Sequence, residues 1–328
     1  MTNNLLMLAV LLISNNLFAG HDHSNHDSHG LNHLAPIGIM SDHMHTKGTL
    51  MMSYRHMSME MNGIISGAKD ISKNDYFSDT NYMMAPSKMN KTMHMLGAMY
   101  ALTDKFSIMA MIPQISNVMT MVKKMGRTEV ESESKSIGDI RVTSLIKFVE
   151  KEKSSFIMGI GITLPTGQIN HKKDGANLPY GMQTGSGSYA LNIISTFTKR
   201  ISHWSFGAQL DAKSYLNENT NDYKKGNEYL TNIWLQRSFA YGFDSSLRIS
   251  QKNIDPLEST ESSISMMSST FSPSAQHGMR RLAYLGLSYS GFKGNRISME
   301  IGKPIAQDLA SYQLKSESMF TLGLQKLF

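Results

Sequence analysis

Residues 156–164 read Phe156-Ile157-Met158-Gly159-Ile160-Gly161-Ile162-Thr163-Leu164. Phe156, Met158, Ile160, Ile162 and Leu164 share one parity, and Gly159, Gly161 and Thr163 share the other. Side chains alternate between the faces of an extended chain, so this segment has one continuous apolar face and one small or polar face. The same period of two recurs along most of the sequence. Ile140, Val142, Ile146 and Phe148 oppose Asp139, Arg141, Thr143 and Lys147. Trp204, Phe206, Ala208, Leu210 and Ala212 oppose Ser205, Gln209, Asp211 and Lys213. Phe243, Leu247 and Ile249 oppose Asp244, Ser246, Arg248 and Ser250. The pattern predicts strands over 47–61, 91–102, 105–122, 134–149, 154–165, 184–199, 203–216, 226–240, 241–252, 278–290, 295–303 and 316–328. Short connections alternate with long ones, which lie at 62–90, 123–133, 166–183, 217–225, 253–277 and 304–315.

The fold expected is all-β: a transmembrane antiparallel β-barrel of about twelve strands, with short periplasmic turns and longer external loops. A soluble sandwich also alternates, but it rarely combines strands of this length with so regular a rhythm of turns. The polar faces would then line a lumen holding Arg55, Asp139, Arg141, Asp211, Lys213, Asp244, Arg248 and Glu300. Charges of both signs are hard to place in a dry core and are natural in a wet one. The terminal Phe328 closes an amphipathic strand, which is the expected insertion signal read by the barrel-assembly machinery. Lys326 departs from that strand's apolar face but is near enough to the end to reach the interface.

At the other terminus, Leu5 to Ile13 is apolar and is followed by Ala19 and Gly20. This is the layout of a signal peptide over residues 1–20. The expected organisation is therefore this leader, a His-rich periplasmic segment over 21–46, and a barrel over 47–328. The expected location is the bacterial outer membrane, with lipids as the surrounding partner.

The chain has 328 residues with 27 Met, 12 His and no Cys, and a net charge of +6. The absence of Cys excludes disulfides, thiolate zinc sites and cysteine nucleophiles. The charge is spread too evenly for a nucleic-acid surface. No Walker loop, dinucleotide fingerprint, metalloprotease helix or serine-hydrolase elbow occurs, so no enzyme is expected. Twenty of the Met residues fall at or before Met125. Thioethers are soft ligands suited to Cu(I), and imidazoles suit Cu(II), Zn or Ni. The donors singled out are His21, His23, His26, His29, His33, His43, Met44, His45, His56, Met57, Met59, Met93 and Met95. The bland alternative is Met as flexible apolar filler. No cofactor is required, and a bound ion would be copper or another transition metal.

Several segments resemble a family of bacterial outer-membrane proteins called simply "transporter", related to the barrels labelled for the meta pathway of phenol degradation. They are Ala35-Pro-Ile-Gly-Ile-Met-Ser-Asp-His-Met-His-Thr-Lys-Gly48, Met52-Ser-Tyr-Arg-His-Met57, Ile137-Gly-Asp-Ile-Arg-Val142, Leu164-Pro-Thr-Gly167 and Gly185-Ser-Gly-Ser188. The resemblance implies a β-barrel that passes small solutes, and it brings no catalytic residues. The function expected is a porin-like transporter for small solutes, with metal ions, chiefly copper, placed slightly ahead of small hydrophobic or aromatic organics. A non-transporting metal-binding surface protein is the remaining alternative.

Overall fold

The computed structural model describes residues 34–151, 153–259, 267–291 and 294–328. The proposed leader and His21, His23, His26, His29 and His33 lie outside these residues. Eleven strand elements form the wall: β1 Leu50–Gly67, β2 Met84–Thr103, β3 Phe106–Lys123, β4 Ile140–Lys151, β5 Ser154–Leu164, β6 Ala190–Ile201, β7 Trp204–Tyr215, β8 Glu228–Ser238, β9 Phe243–Ile254, β10 Gly278–Tyr289 and β11 Asn295–Leu327. Each pairs antiparallel with the next, and β11 pairs with β1 to close the ring.

An odd number of strands cannot close a ring that is antiparallel throughout. The contradiction is resolved inside β11. Residues 297–309 pair with β10, whereas residues 309–327 pair with β1 in the opposite direction. Leu327 N donates to Gly294 O, and the Gln307 side chain bonds Ser316. β11 is therefore a hairpin that turns near Ser311, whose φ is +57°, and the chain crosses the wall twelve times. The long external loop expected over 304–315 is instead this tight turn. The polar run there masked two strands that continue beyond the membrane.

The outer face carries Ile160, Leu210, Ile233, Leu285, Leu287 and Ile301, each more than half exposed. Phe148, Trp204, Tyr241, Phe243, Tyr289 and Phe328 gather at the short-turn rim, while Tyr189 and Tyr229 lie towards the other end. An apolar belt between aromatic girdles is what a lipid bilayer requires of a barrel. Lys326 does not extend freely into the interface: it is 8% exposed, with its Nζ 5.0 Å from the Phe328 ring centroid.

β1, β2, β3 and the β11 hairpin are longer than the strands opposite, so one side of the barrel stands tall. The strand expected over 134–149 splits, and Glu129–Ile137 pairs with the upper part of β3 while β4 begins at Ile140. The 62–90 connection is shorter than expected, holding a brief strand, Lys69–Ile71, and one helix, α1 Lys73–Asp79. Ser72 caps that helix by accepting from Asp75 N. Tyr76, fully buried, anchors it by donating to Met84 O and accepting from Ser269 N.

Three of the sequence motifs meet at the long-loop rim. The Asp139 carboxylate accepts from Gly167 N, Ser186 N and Ser186 Oγ at 2.9, 2.9 and 2.6 Å. Thr166 Oγ1 donates to Gly138 O. Gly167 and Gly185 pack backbone to backbone: a Cβ on Gly185 would stand 2.3 Å from Gly167 C, so no larger residue fits. Asp139, expected to line the lumen, thus fastens the 165–189 loop instead. That loop presses the fully buried Met182 against Met89, Met119 and Met121 on the inner face of the tall wall.

Candidate functional site

Residues 34–45, expected within the His-rich periplasmic segment over 21–46, lie inside the barrel. Their neighbours come from all round the ring: Arg55 on β1, Gln209 on β7, Trp234 on β8, Arg248 on β9, and Arg296 and Glu300 on β11. Leu34, Ala35, Ile37, Ile39 and Met44 are buried, which gives the apolar part of the segment its driving force to dock. The segment is a re-entrant loop. Ile39 N donates to Pro36 O at the tip, and Ala35 N donates to Asp42 Oδ2 at 2.8 Å across the base. The chain then leaves at the short-turn rim, where Lys47 N donates to Asp104 Oδ1.

Wall side chains satisfy the backbone of this plug. Arg296 donates to Ala35 O at 3.0 Å and Leu34 O at 3.2 Å, and also to Ser288 and Gln325. Arg55 Nε donates to Ile37 O at 3.1 Å, Gln209 Nε2 donates to Met40 O, and Gly38 N donates to Glu300 Oε2 at 2.8 Å. Glu300 is held in turn by two bonds from Arg248, which lies 3.8 Å from the Tyr284 ring centroid. A Cβ on Gly38 would stand 2.2 Å from Arg248 Nη2 and 2.5 Å from Glu300 Oε2, so a larger residue would displace that ion pair. Gly323 leaves room for Ile37 on the facing wall, where a Cβ would stand 2.4 Å from Ile37 Cγ1.

The charges expected in the lumen are therefore mostly internal braces. Arg141 pairs with Asp211 through two bonds of 2.9 and 3.0 Å, and Asp244 accepts from Ser238 Oγ. Lys213 lies over the Tyr215 ring. Arg296, Gln209 and Trp234 were not singled out in the sequence. Arg296 shares parity with Glu300 in Asn295-Arg-Ile-Ser-Met-Glu300, and that signal would have found it.

Opposite the charged wall stands a wall of thioethers. Met51, Met99 and Met109 are direct cross-strand partners on β1, β2 and β3, and so are Met61, Met89 and Met119 further along the same strands. Met57 faces Met93, and Met59 faces Met319. Met57 and Met59 share the inward parity of Arg55, and Met93 and Met95 that of Met99. The lower group packs on the plug through Leu34 and Met44. The upper group packs on the 165–189 loop.

His56 departs from the expected cluster. Its parity is opposite to that of Met57, and its ring lies 4.9 Å from His94 and 6.4 Å from Phe320 on the outer face. His94 is fixed there by a 2.7 Å bond with Tyr54 Oη. His43 and His45 remain together within the plug, with ring centroids 4.9 Å apart. His43 Nδ1 bonds Asp42 Oδ1 at 2.7 Å, and its Nε2 faces Met51 Sδ at 3.4 Å. Burial alone would raise the Asp42 carboxyl, but His43, the Ala35 N–H and Arg296 together outweigh it and hold the pKa down at about 2. Among the described residues no three His, Asp or Glu side chains converge as metal ligands.

A closed antiparallel wall with an apolar belt, aromatic girdles and a charged, internally plugged lumen defines an outer-membrane β-barrel. The family described as "Putative MetA-pathway of phenol degradation" matches residues 90–248, so the resemblance seen in the sequence is independently found. An outer membrane channel from Pseudomonas putida F1 shares the fold, at 12% identity and a TM-score of 0.64, over 88% of this chain and 98% of that one. The KdgM porin overlaps less well, at 10% identity and a TM-score of 0.42 over 84% and 98% of the two chains. The translocator domain of the autotransporter NalP from Neisseria meningitidis gives 9% identity and a TM-score of 0.43 over 87% and 90%. No curated protein matches the sequence.

Proposed function

We propose that this protein is an outer-membrane channel for small apolar organic solutes, and that residues 34–45 close its periplasmic half at rest. The observation that carries this reading is the division of the lumen. One wall is charged but spends its charges on internal pairs and on the plug. The other offers a run of thioethers from Met51, Met99 and Met109 to Met61, Met89 and Met119. Methionine is flexible and polarisable, so such a surface can mould itself to varied apolar shapes without demanding a particular hydrogen-bond pattern. Organics are placed ahead of metal-ion cargo because the upper thioethers pack among Leu178 and Leu314, and because among the described residues no three His, Asp or Glu side chains converge.

The test is passage of a small aromatic hydrocarbon, a monosaccharide and Cu(I) across asymmetric reconstituted bilayers whose lipopolysaccharide leaflet retards apolar solutes. The expected result is protein-dependent passage of the hydrocarbon alone, accelerated when residues 34–45 are replaced by a Gly-Ser linker. Equal passage of the sugar would make the protein a general porin. Passage of none, even with the plug replaced, would end the channel reading.

A further inference from the structure

We propose that the seam between plug and wall is a binding site for a soft monovalent metal ion, Cu(I) or Ag(I), formed by His43 of the plug with Met51, Met99 and Met109 of the wall. His43, Met51, Met99, Met109 and Met111 line one small cavity. Met51 and Met99 are directly paired across β1 and β2, and Met99 and Met109 across β2 and β3, so their side chains leave the same face at the same height. The imidazole is oriented as in many metal sites: Nδ1 is tied to a carboxylate, Asp42, and Nε2 is directed into the cavity.

The spacing suits shared coordination. A nitrogen at about 2.0 Å and a sulfur at about 2.3 Å from one ion, near the tetrahedral angle, lie about 3.5 Å apart. The observed separation of His43 Nε2 from Met51 Sδ is 3.4 Å. Thioethers need no deprotonation and select soft ions, so a set of one imidazole and two or three thioethers excludes Mg and Ca and disfavours Zn. Ser41, Asp42, Ser53 and Arg55 also line the cavity. The Asp42 carboxylate is taken up by His43 Nδ1 and Ala35 N, and Arg55 Nε by Ile37 O, while the Gln325 amide points at Met51 Sδ from 3.8 Å.

This site differs from the donor set first singled out, because His56 and His94 pair on the outer face, opposite in parity to Met57 and Met93. It rests on the plug reading for one consequence only. Taking one ligand from the plug and the others from the wall, the ion would clasp the two together.

The experiment is anaerobic competition titration of the purified mature chain with Cu(I) against a chromophoric chelator, using a parent in which His21, His23, His26, His29 and His33 are Asn. Heat-modifiable gel mobility verifies that each variant is folded. One equivalent should bind, with X-ray absorption showing sulfur and nitrogen neighbours together. His43→Gln and Met51→Leu should each weaken binding by tenfold or more, and Met57→Leu should not. Hydrogen exchange over residues 34–45 should slow on Cu(I) addition. A parent that binds no Cu(I), or binding unchanged in both His43→Gln and Met51→Leu, overturns the site. Binding retained with exchange unchanged removes the clasp and leaves the site. Solute flux is measured on metal-free protein, so its failure and that of the metal site are separately visible.

Discussion

Arg296→Gln removes the principal tether between wall and plug. Arg296 is 2% exposed, and its guanidinium donates to two plug carbonyls, Ala35 O and Leu34 O. A hydrogen bond from a charged group contributes about 1.5–3 kcal/mol net. Gln can replace one such bond weakly, so about 3 kcal/mol of docking free energy should be lost. That corresponds to a shift of about two decades in the ratio of docked to undocked plug. The chain has no Cys, so an Ile39→Cys reporter gives a single thiol, placed where the native side chain is 2% exposed. Maleimide labelling of that thiol under conditions of rapid plug motion should be about a hundredfold faster in the Arg296→Gln background. Heat-modifiable mobility should persist, since the β-ladder is untouched. Equal labelling rates in the two backgrounds would show that Arg296 does not hold the plug, and would remove the argument made from its hydrogen bonds.

Three further outcomes are expected. Gly207→Ala places a Cβ 2.2 Å from the Trp234 ring, and overpacking of this kind costs about 1–3 kcal/mol. The temperature of heat-modification should fall, and Ile39→Cys labelling should rise because Trp234 packs on Ala35 and Ile39. Ile160→Arg, on the lipid face, should lower barrel stability by about 2–4 kcal/mol in urea titrations from vesicles, whereas Ile160→Leu should not. For Asp42 the folded pKa of about 2 lies below the ordinary 3.8. Its contribution to plug docking is therefore fully present above about pH 4 and is lost as pH falls towards 2, worth about 2 kcal/mol. Reaction of the residue 39 thiol with dithiodipyridine, which remains active in acid, should accelerate over that window relative to an exposed control thiol, and Asp42→Asn should abolish the acceleration.

The strand periodicity was readable because lipid and lumen impose opposite demands on alternate residues of every strand. Phe156 to Leu164 shows this directly, and Met51 and Met57 share the parity of the lumenal Arg55. The ends of the tall strands were not readable. Above the bilayer the outer face of β1 and β2 is wet, so His56, Ser58, Glu60 and Asn90 carry no apolar signal. The hairpin at Ser311 was hidden for the same reason. The plug was missed because a segment that docks inside a polar lumen needs no amphipathic period. Its backbone is satisfied by distant side chains such as Arg296 and Glu300, and nothing local in Ala35 to His45 announces them. Asp139 was expected inside a strand over 134–149 that lines the lumen, whereas it lies in the break between Ile137 and Ile140. Its three bonds go to Gly167 and Ser186, which only the folded chain brings together.

The account depends most on residues 34–45 lying inside the barrel, and a disulfide tests that directly. A Cβ at position 323 would lie 2.4 Å from Ile37 Cγ1, so the Cβ atoms at 37 and 323 are no more than about 4 Å apart, within the span a disulfide bridges. With Ile37→Cys and Gly323→Cys in one chain, oxidation in intact outer membranes should form the bond in most molecules. It should be seen as a faster-migrating unfolded band that disappears on reduction. The pair Ile37→Cys and Leu324→Cys, with the second thiol on the outer face, should not cross-link. Absence of the bond in the first pair, or equal cross-linking in both, would place the segment outside the lumen and contradict the account.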